Sequence, residues 1–305
     1  MNQLTVLIPC KNEQQHIAAC IASARQVADE ILVADSGSTD DTLALVQSEP
    51  DCRLIEREFV SYADFKNWAI PQAQHEWVLV LDADERITPE LASEIREVLS
   101  TAPQCDAYRL RRQNFFLGRP IHHCGWNRSQ IQRLFRKSVC RYRDCRVHEE
   151  LDVDPSRVGQ LHGKLLHYTC VDFDSFALKQ VKYSIFSAED RYEKGGRVSY
   201  LGTLLHAPLR FLQLFIIRGG ILDGFAGLIL CLLLAYYSFL KDAKLWSLHE
   251  AARAGQSPHL SAKRHTPERT VPQVTVENPQ NALKSLRHSS PSTFRRELPL
   301  ARHHS

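Results

Sequence analysis

The sequence lacks any CxxC pair among its nine cysteines. No disulfide framework is indicated, and the thiols read as reduced side chains of a cytosolic protein. No signal-peptide pattern precedes the first apolar run at Leu4, so the chain is expected to begin directly with a strand. No apolar run comfortably spans a bilayer. The longest clean one, Gly224 to Leu240, is seventeen residues, about 25 Å as a helix against a hydrocarbon core of about 30 Å. No glycine-rich, basic loop follows the first apolar run, where CKNEQQ stands instead; this argues against a nucleotidyltransferase. The basic stretch has no aromatic interleaving and matches no known nucleic-acid module, so nucleic acid is excluded as a partner. The net charge of +3 hides an uneven spread, because Arg109 to Arg146 holds eleven Lys or Arg and a single acid, Asp144.

What is present is organised around Trp77 to Arg86, WVLVLDADER. Five apolar or aromatic residues suit a strand buried on both faces. Asp82 and Asp84 follow, one residue apart, and on an extended chain they point the same way. Two carboxylates at the C-terminal end of such a strand offer hard oxygen ligands to Mg²⁺ or Mn²⁺. In open α/β sheets that edge is where ligands bind. A solvated acidic turn is the plainer alternative for an isolated DxD.

The chain before it decides between them. Leu4 to Ile8, Ile31 to Ala34 and Cys52 to Ile55 read as strands. Helices are expected from Lys11 to about Val27, from the 38–42 stretch to about Ser48, and over Tyr62 to Ala73. Thr88 caps a further helix to about Ser100, with Pro89 in its first turn. Ala107 to Leu110 and Gln130 to Arg136 continue the strands, and Cys145 to Glu150 reads as another short one. Strands alternating with helices predict an α/β fold with a mostly parallel sheet covered on both faces. Asp35, Asp82 and Asp84 all fall just past strand ends, so the sheet gathers them on one edge.

IPCKNE at 8–13, ADSGSTDDT at 34–42 and LDADE at 81–85 resemble, in order and spacing, the signature set of family-2 glycosyltransferases. The resemblance covers residues 1–110 well. It implies the GT-A fold, a nucleotide-diphospho-sugar donor and a divalent metal. It places Pro9 and Glu13 in the nucleotide pocket, Asp35 on the base, Asp82 and Asp84 at the metal–diphosphate, and Lys66 and Asn67 near the donor. A haloacid-dehalogenase-like phosphatase would want Thr or Val where Arg86 stands.

An inverting transferase needs one carboxylate to take the proton of the acceptor hydroxyl. Glu149, in Val147-His148-Glu149, is the expected base. It resembles the VHE segment of bacterial lipopolysaccharide-core glucosyltransferases. Glu150 is the alternative, since on a strand only one of the two can face the cleft; a surface carboxylate is the plainer reading. His148 or His167 is expected as a third metal ligand, because related glycosyltransferases complete a DxD site with a later His. His122, His123 and Cys124 lack zinc-ligand spacing. The basic stretch fits a phosphate-bearing acceptor or an anionic bilayer, and an acceptor embedded in such a membrane satisfies both. Trp126 stacks on a sugar face or packs as core.

Phe173 to Tyr192 reads as a helix. Residues 201–248 are apolar, broken by Arg210, Gln213, Arg218 and Asp223, with cations on both flanks. That charge pattern disfavours a single crossing and favours in-plane or shallowly re-entrant membrane-interface helices, with a core helix pair and a true span as the alternatives. RGGILDGFAGL followed by Tyr236, Lys241 and Trp246 resembles the same lipopolysaccharide-core subgroup. From 249 to 305 the chain reads as a disordered basic tail. The expected organisation is a catalytic domain over 1–200 (nucleotide-sugar side 1–110, acceptor side 111–200), then the membrane helices and tail. The expected activity is transfer of a hexose, glucose from UDP-glucose, to a lipid-linked saccharide of the lipopolysaccharide inner core. The expected place is the cytoplasmic face of the bacterial inner membrane, against the inner leaflet. A polyprenyl-phosphate glycosyltransferase and a non-catalytic nucleotide-sugar binder remain alternatives.

Overall fold

A computed structural model describes residues 2–101, 103–126, 130–143, 151–170, 172–257 and 260. The chain divides into two units, Met1–Pro267 and Glu268–Ser305, and every described residue lies in the first. The tail beyond 260, and Cys145 to Glu150, which was read as a strand, fall outside the described residues.

The first half builds β1 (Leu4–Cys10), α1 (Ile17–Ala24), β2 (Glu30–Asp35), α2 (Thr42–Gln47), β3 (Cys52–Glu56), α3 (Tyr62–Ala69), β4 (Trp77–Val80), β5 (Glu85–Ile87) and α4 (Pro89–Ser100). Then come β6 (Ala107–Phe116), β7 (Arg119–Pro120), β8 (Gln130–Arg136), β9 (Arg141–Tyr142), β10 (Leu151–Asp152) and β11 (Val158–Cys170). Three helices close the described chain: α5 (Phe173–Glu193), α6 (Tyr200–Leu212) and α7 (Gly224–Arg253).

Nine of these strands form one sheet in the order β3-β2-β1-β4-β8-β6-β11-β5, with β7 paired to β6. β3, β2, β1 and β4 run parallel. β8 enters antiparallel between β4 and β6, and β5 pairs antiparallel with β11. The sheet is therefore mixed, with the parallel block at the N-terminal half.

Helices cover both faces, as the continuous apolar strands require. In β1, Leu4, Val6 and Ile8 face the layer that holds Ile17 and Ile21 of α1 and Leu91 and Ile95 of α4. Leu7 faces the other layer, with Ala63, Phe65 and Ala69 of α3. β4 alternates the same way, Trp77 and Leu79 to one side and Val78 and Val80 to the other. All four β1 side chains are fully buried, and each contributes about 2 kcal/mol of hydrophobic stabilisation.

Several boundaries differ from the sequence reading for local reasons. α1 starts at Ile17, because Asn12 adopts a left-handed φ of 55° and the chain loops before it can wind. Pro71 ends α3 early and leaves a single 3-10 turn, Ile70–Gln72. α4 matches closely: Thr88 accepts from the amide of Leu91, with Pro89 in the first turn. β6 extends six residues past the expected end at Leu110, because β8 and β11 pair along it.

On α6 the usual order of faces is reversed. Its polar side chains turn towards the protein. His206 Nδ1 lies 2.5 Å from Asp242 of α7, and Arg191 of α5 bonds the same buried carboxylate at 3.0 Å. Its apolar side chains face outward, with Tyr200 87% and Leu201 62% exposed. The apolar row continues over the following turns through Ile217, Leu222 and Phe225, all more than two-thirds exposed. Gly227 lets α7 pack onto that turn, since a Cβ there would sit 2.1 Å from the Gly220 carbonyl oxygen. α7 runs thirty residues, well beyond the seventeen of its clean apolar run.

Candidate active site

β1, β2 and β4 run parallel, so their C-terminal ends share one edge of the sheet. A cavity of ≈ 960 Å³ opens there, and Pro9, Glu13, Lys66, Asp82, Asp84 and His167 line it. Sequence separation between these residues is large, and the sheet with the loops and helix α3 at its edge brings them together.

β4 ends at Val80, and Asp82-Ala83-Asp84 forms a turn instead of continuing the strand. The turn is closed by the amide of Glu85 on the Asp82 carbonyl, 2.8 Å. Arg86 latches it from below, donating to the carbonyls of Ala83 (2.8 Å) and His16 (2.9 Å). Both carboxylates still reach the cavity, but they meet different partners.

Asp82 is matched with cations. Arg133, 8% exposed at its side chain, forms a short ion pair with it, and Lys66 Nζ lies 3.8 Å away. Burial alone would raise the Asp82 carboxyl, but Arg133 and Lys66 outweigh it and hold the group well below the usual carboxylate range. Arg133 also reaches Glu85, which is fully buried, at 3.5 Å, and Arg112 approaches that carboxylate at 3.6 Å. Burial nevertheless leaves Glu85 raised. Lys66 further packs its ammonium over the Tyr142 ring, 5.2 Å from the centroid.

Asp84 meets His167 instead, with Oδ2 3.3 Å from Nε2. The opposing pull of burial is overcome by this contact, and the Asp84 carboxyl is lowered. Glu13 faces the same space. Burial first, and then the charges of Asp84 and Asp82, push its carboxyl up to about 7, while Lys179 of α5 opposes them.

Among the described residues no group of three or more His, Cys, Asp and Glu side chains gathers as a metal site. The donor chemistry nevertheless singles out one pair. Asp84 and His167 offer a carboxylate oxygen and an imidazole nitrogen to a common point, a set that suits Mn²⁺ or Mg²⁺ when a ligand supplies further oxygens. Asp82, also expected at the metal, is already paired with Arg133 and Lys66, so a cation there would compete with both.

Two further expected site residues are engaged within the fold. Asp35 is fully buried and does not line the cavity. Its Oδ1 accepts from the amides of Gly37 (2.7 Å) and Ser38 (2.8 Å), and its Oδ2 from the Ser38 hydroxyl and the Cys10 thiol. It braces the 35–38 loop. Asn67 also points away. It donates to the carbonyl of Tyr142 at 2.8 Å and accepts from its amide at 3.0 Å, which clamps α3 to β9. Glu149, Glu150 and His148 lie outside the described residues.

Arg133, Glu85, Asn114 and Lys179 complete the neighbourhood and were not legible as site residues. Lys179 lines the cavity with Phe176 and Tyr183 of the same helix. His123 and Cys124 are engaged by Asp223, with His123 Nδ1 3.0 Å and Cys124 Sγ 3.5 Å from its carboxylate oxygens. Trp126 lines the cavity and packs edge-on against Phe176, ring centroids 6.2 Å apart.

The family model described as Glycosyl transferase family 2 matches residues 5–148. The lipopolysaccharide core biosynthesis glycosyltransferase LpsC of Rhizobium meliloti is 32% identical over 252 residues, covering 81% of this chain and 93% of that protein. The glycosyltransferase RP128 of Rickettsia prowazekii is 27% identical over 258 residues, covering 81% of this chain and 88% of that one. Among solved structures, S. aureus TarS 1–349 in complex with UDP-GlcNAc aligns with a TM-score of 0.41 at 14% identity, covering 83% of this chain and 92% of that one. Glucosyl-3-phosphoglycerate synthase from Mycobacterium tuberculosis, in complex with Mn²⁺, UDP and phosphoglyceric acid, aligns at 0.31 and 23% identity over 38% of this chain and 44% of that one.

Proposed function

The chain belongs to glycosyltransferase family 2, and from that premise we propose that it transfers a hexose, glucose from UDP-glucose, onto a lipid-linked saccharide of the lipopolysaccharide inner core. The observation that carries the reading is the division of labour in the DAD turn. Asp84 and His167 meet at the cavity wall, 3.3 Å apart, while Asp82 is held by Arg133 and Lys66. Lipopolysaccharide core synthesis is the role named for the Rhizobium relative.

Asp84 and His167 would hold the divalent cation, Mg²⁺ or Mn²⁺. When bound it supplies positive charge for the departing diphosphate. Pro9 and Glu13 would border the donor, and Lys179 adds a cation to the same lining. Arg133 and Lys66 keep Asp82 ionised and fixed, so the turn is organised before ligand enters. Glu149, with Glu150 as the alternative, takes the proton from the acceptor hydroxyl in a single displacement that inverts the anomeric centre.

The outward apolar face of α6 and the turn after it supports contact with the inner leaflet at the cytoplasmic face of the bacterial inner membrane. Leu, Ile and Phe side chains are buried there only by lipid, while the polar face is satisfied within the protein.

Mass analysis of truncated inner-core lipid after incubation with UDP-glucose tests the reading. A gain of one hexose, lost in Glu149→Gln, is expected. No gain with any nucleotide sugar overturns it, and full turnover by Glu149→Gln would favour a phosphate acceptor, which needs no base.

A further inference from the structure

His167 reaches the cavity from β11, and its direction is fixed from behind. Its Nδ1 lies 2.7 Å from Oδ1 of Asn114, its register partner on β6. The other end of that amide, Nδ2, donates to the carbonyl of Trp126 at 3.0 Å. A carbonyl only accepts, so the orientation of the Asn114 amide is determined: nitrogen to Trp126, oxygen to His167. An amide oxygen also only accepts, so Nδ1 of His167 carries the hydrogen. When the ring is neutral its lone pair is therefore on Nε2, the atom that a cation would take in place of its contact with Asp84.

Asn114 is itself gripped. It is 5% exposed, and its own carbonyl accepts from the amide of Ile121 at 2.9 Å. The 121–126 loop thus leaves and returns at this one residue. The loop is pinned in turn to the turn between α6 and α7. The amides of His122 and His123 donate to the Asp223 carboxylate at 3.0 and 2.9 Å, and that of Cys124 to the carbonyl of Arg218 at 3.1 Å.

We infer that Asn114 is a positioning residue: held by the 121–126 loop, it fixes the tautomer and direction of His167 so that Nε2 is offered to a divalent cation shared with Asp84. This rests on the metal reading above and adds the residue that makes His167 a ligand. Partners behind a ligating histidine change metal affinity by about 10- to 100-fold when removed.

The test is a Mn²⁺ titration of the full chain with UDP, read by the loss of free-Mn²⁺ electron paramagnetic resonance signal. Thermal melts establish that each variant is folded. Asn114→Ala is expected to weaken Mn²⁺ by about 10- to 100-fold; in a His167→Ala background the same change is silent, because Asn114 acts only through that ring. Asn114→Asp keeps the acceptor and recovers affinity to within a few-fold. Asn114→Thr, a good strand former, replaces Ala if the Ala variant does not fold. Parent-like affinity in Asn114→Ala, or an equal loss with and without His167, overturns the inference alone. A parent protein that binds no Mn²⁺, or binds it unchanged after His167→Ala, overturns the metal reading and this inference with it.

Discussion

Glu13 stores a pH dependence in a single side chain. Its carboxyl is raised to about 7 from an ordinary 4.5, so between those values the folded protein holds a proton that the unfolded chain has released. Stability from this group is therefore present at low pH and is lost as pH rises through the window from 4.5 to 7. Glu13→Gln removes the burden. Urea unfolding should find the variant more stable than the parent by about 2 kcal/mol at pH 8, with the difference gone at pH 4. A variant less stable at pH 8 would contradict the assignment. Arg133 makes the opposite case. It faces Asp82 and the fully buried Glu85, so Arg133→Met strands a carboxylate and should cost about 3–5 kcal/mol. Glu85→Gln in the same chain should return part of that loss, and additive losses would mean that the two do not interact.

Elements show why some of the site was legible and some was not. β1, β2 and β4 announce themselves as apolar runs, and Asp82 and Asp84 follow one of them directly. Arg133 and Asn114 do not. Each sits in a strand with no motif around it, and each acquires its role from a partner some fifty residues away, at Asp82 and His167 respectively. Only strand register brings them there. Asp35 and Asn67 were legible as polar residues at the right edge, but their oxygens and nitrogens are consumed by backbone within the fold. Asn67→Ala should therefore lower stability by about 1–3 kcal/mol, through loss of its two hydrogen bonds to the Tyr142 backbone, and leave the Michaelis constant for the donor unchanged. A selective rise in that constant would restore Asn67 to the donor site. The reversed faces of α6 were hidden for a related reason: composition marks the helix as apolar, but only packing shows which side meets solvent. Ile217→Glu with Leu222→Glu should abolish flotation with phosphatidylglycerol vesicles and leave the melting temperature unmoved. Retained flotation would remove this face as the lipid contact.

At the scale of the whole molecule, the two halves of the sheet do different work. The parallel block, β3-β2-β1-β4, gives the GT-A sheet edge that carries the DAD turn. The mixed block, β8-β6-β11-β5, returns Arg133 and His167 to that turn from the far side and connects it, through the 121–126 loop, to the C-terminal helices. The account requires Asp84, opposite His167, to be the carboxylate that makes the site work with a sugar diphosphate. UDP release from UDP-glucose, measured with Mn²⁺ and truncated core lipid for the parent and for Asp84→Ala, tests this most directly. The parent should release UDP in a Mn²⁺-dependent manner, and Asp84→Ala should be slower by about 100-fold or more, the rate equivalent of several kcal/mol of lost charge stabilisation. A folded Asp84→Ala protein that releases UDP at the parental rate would contradict it.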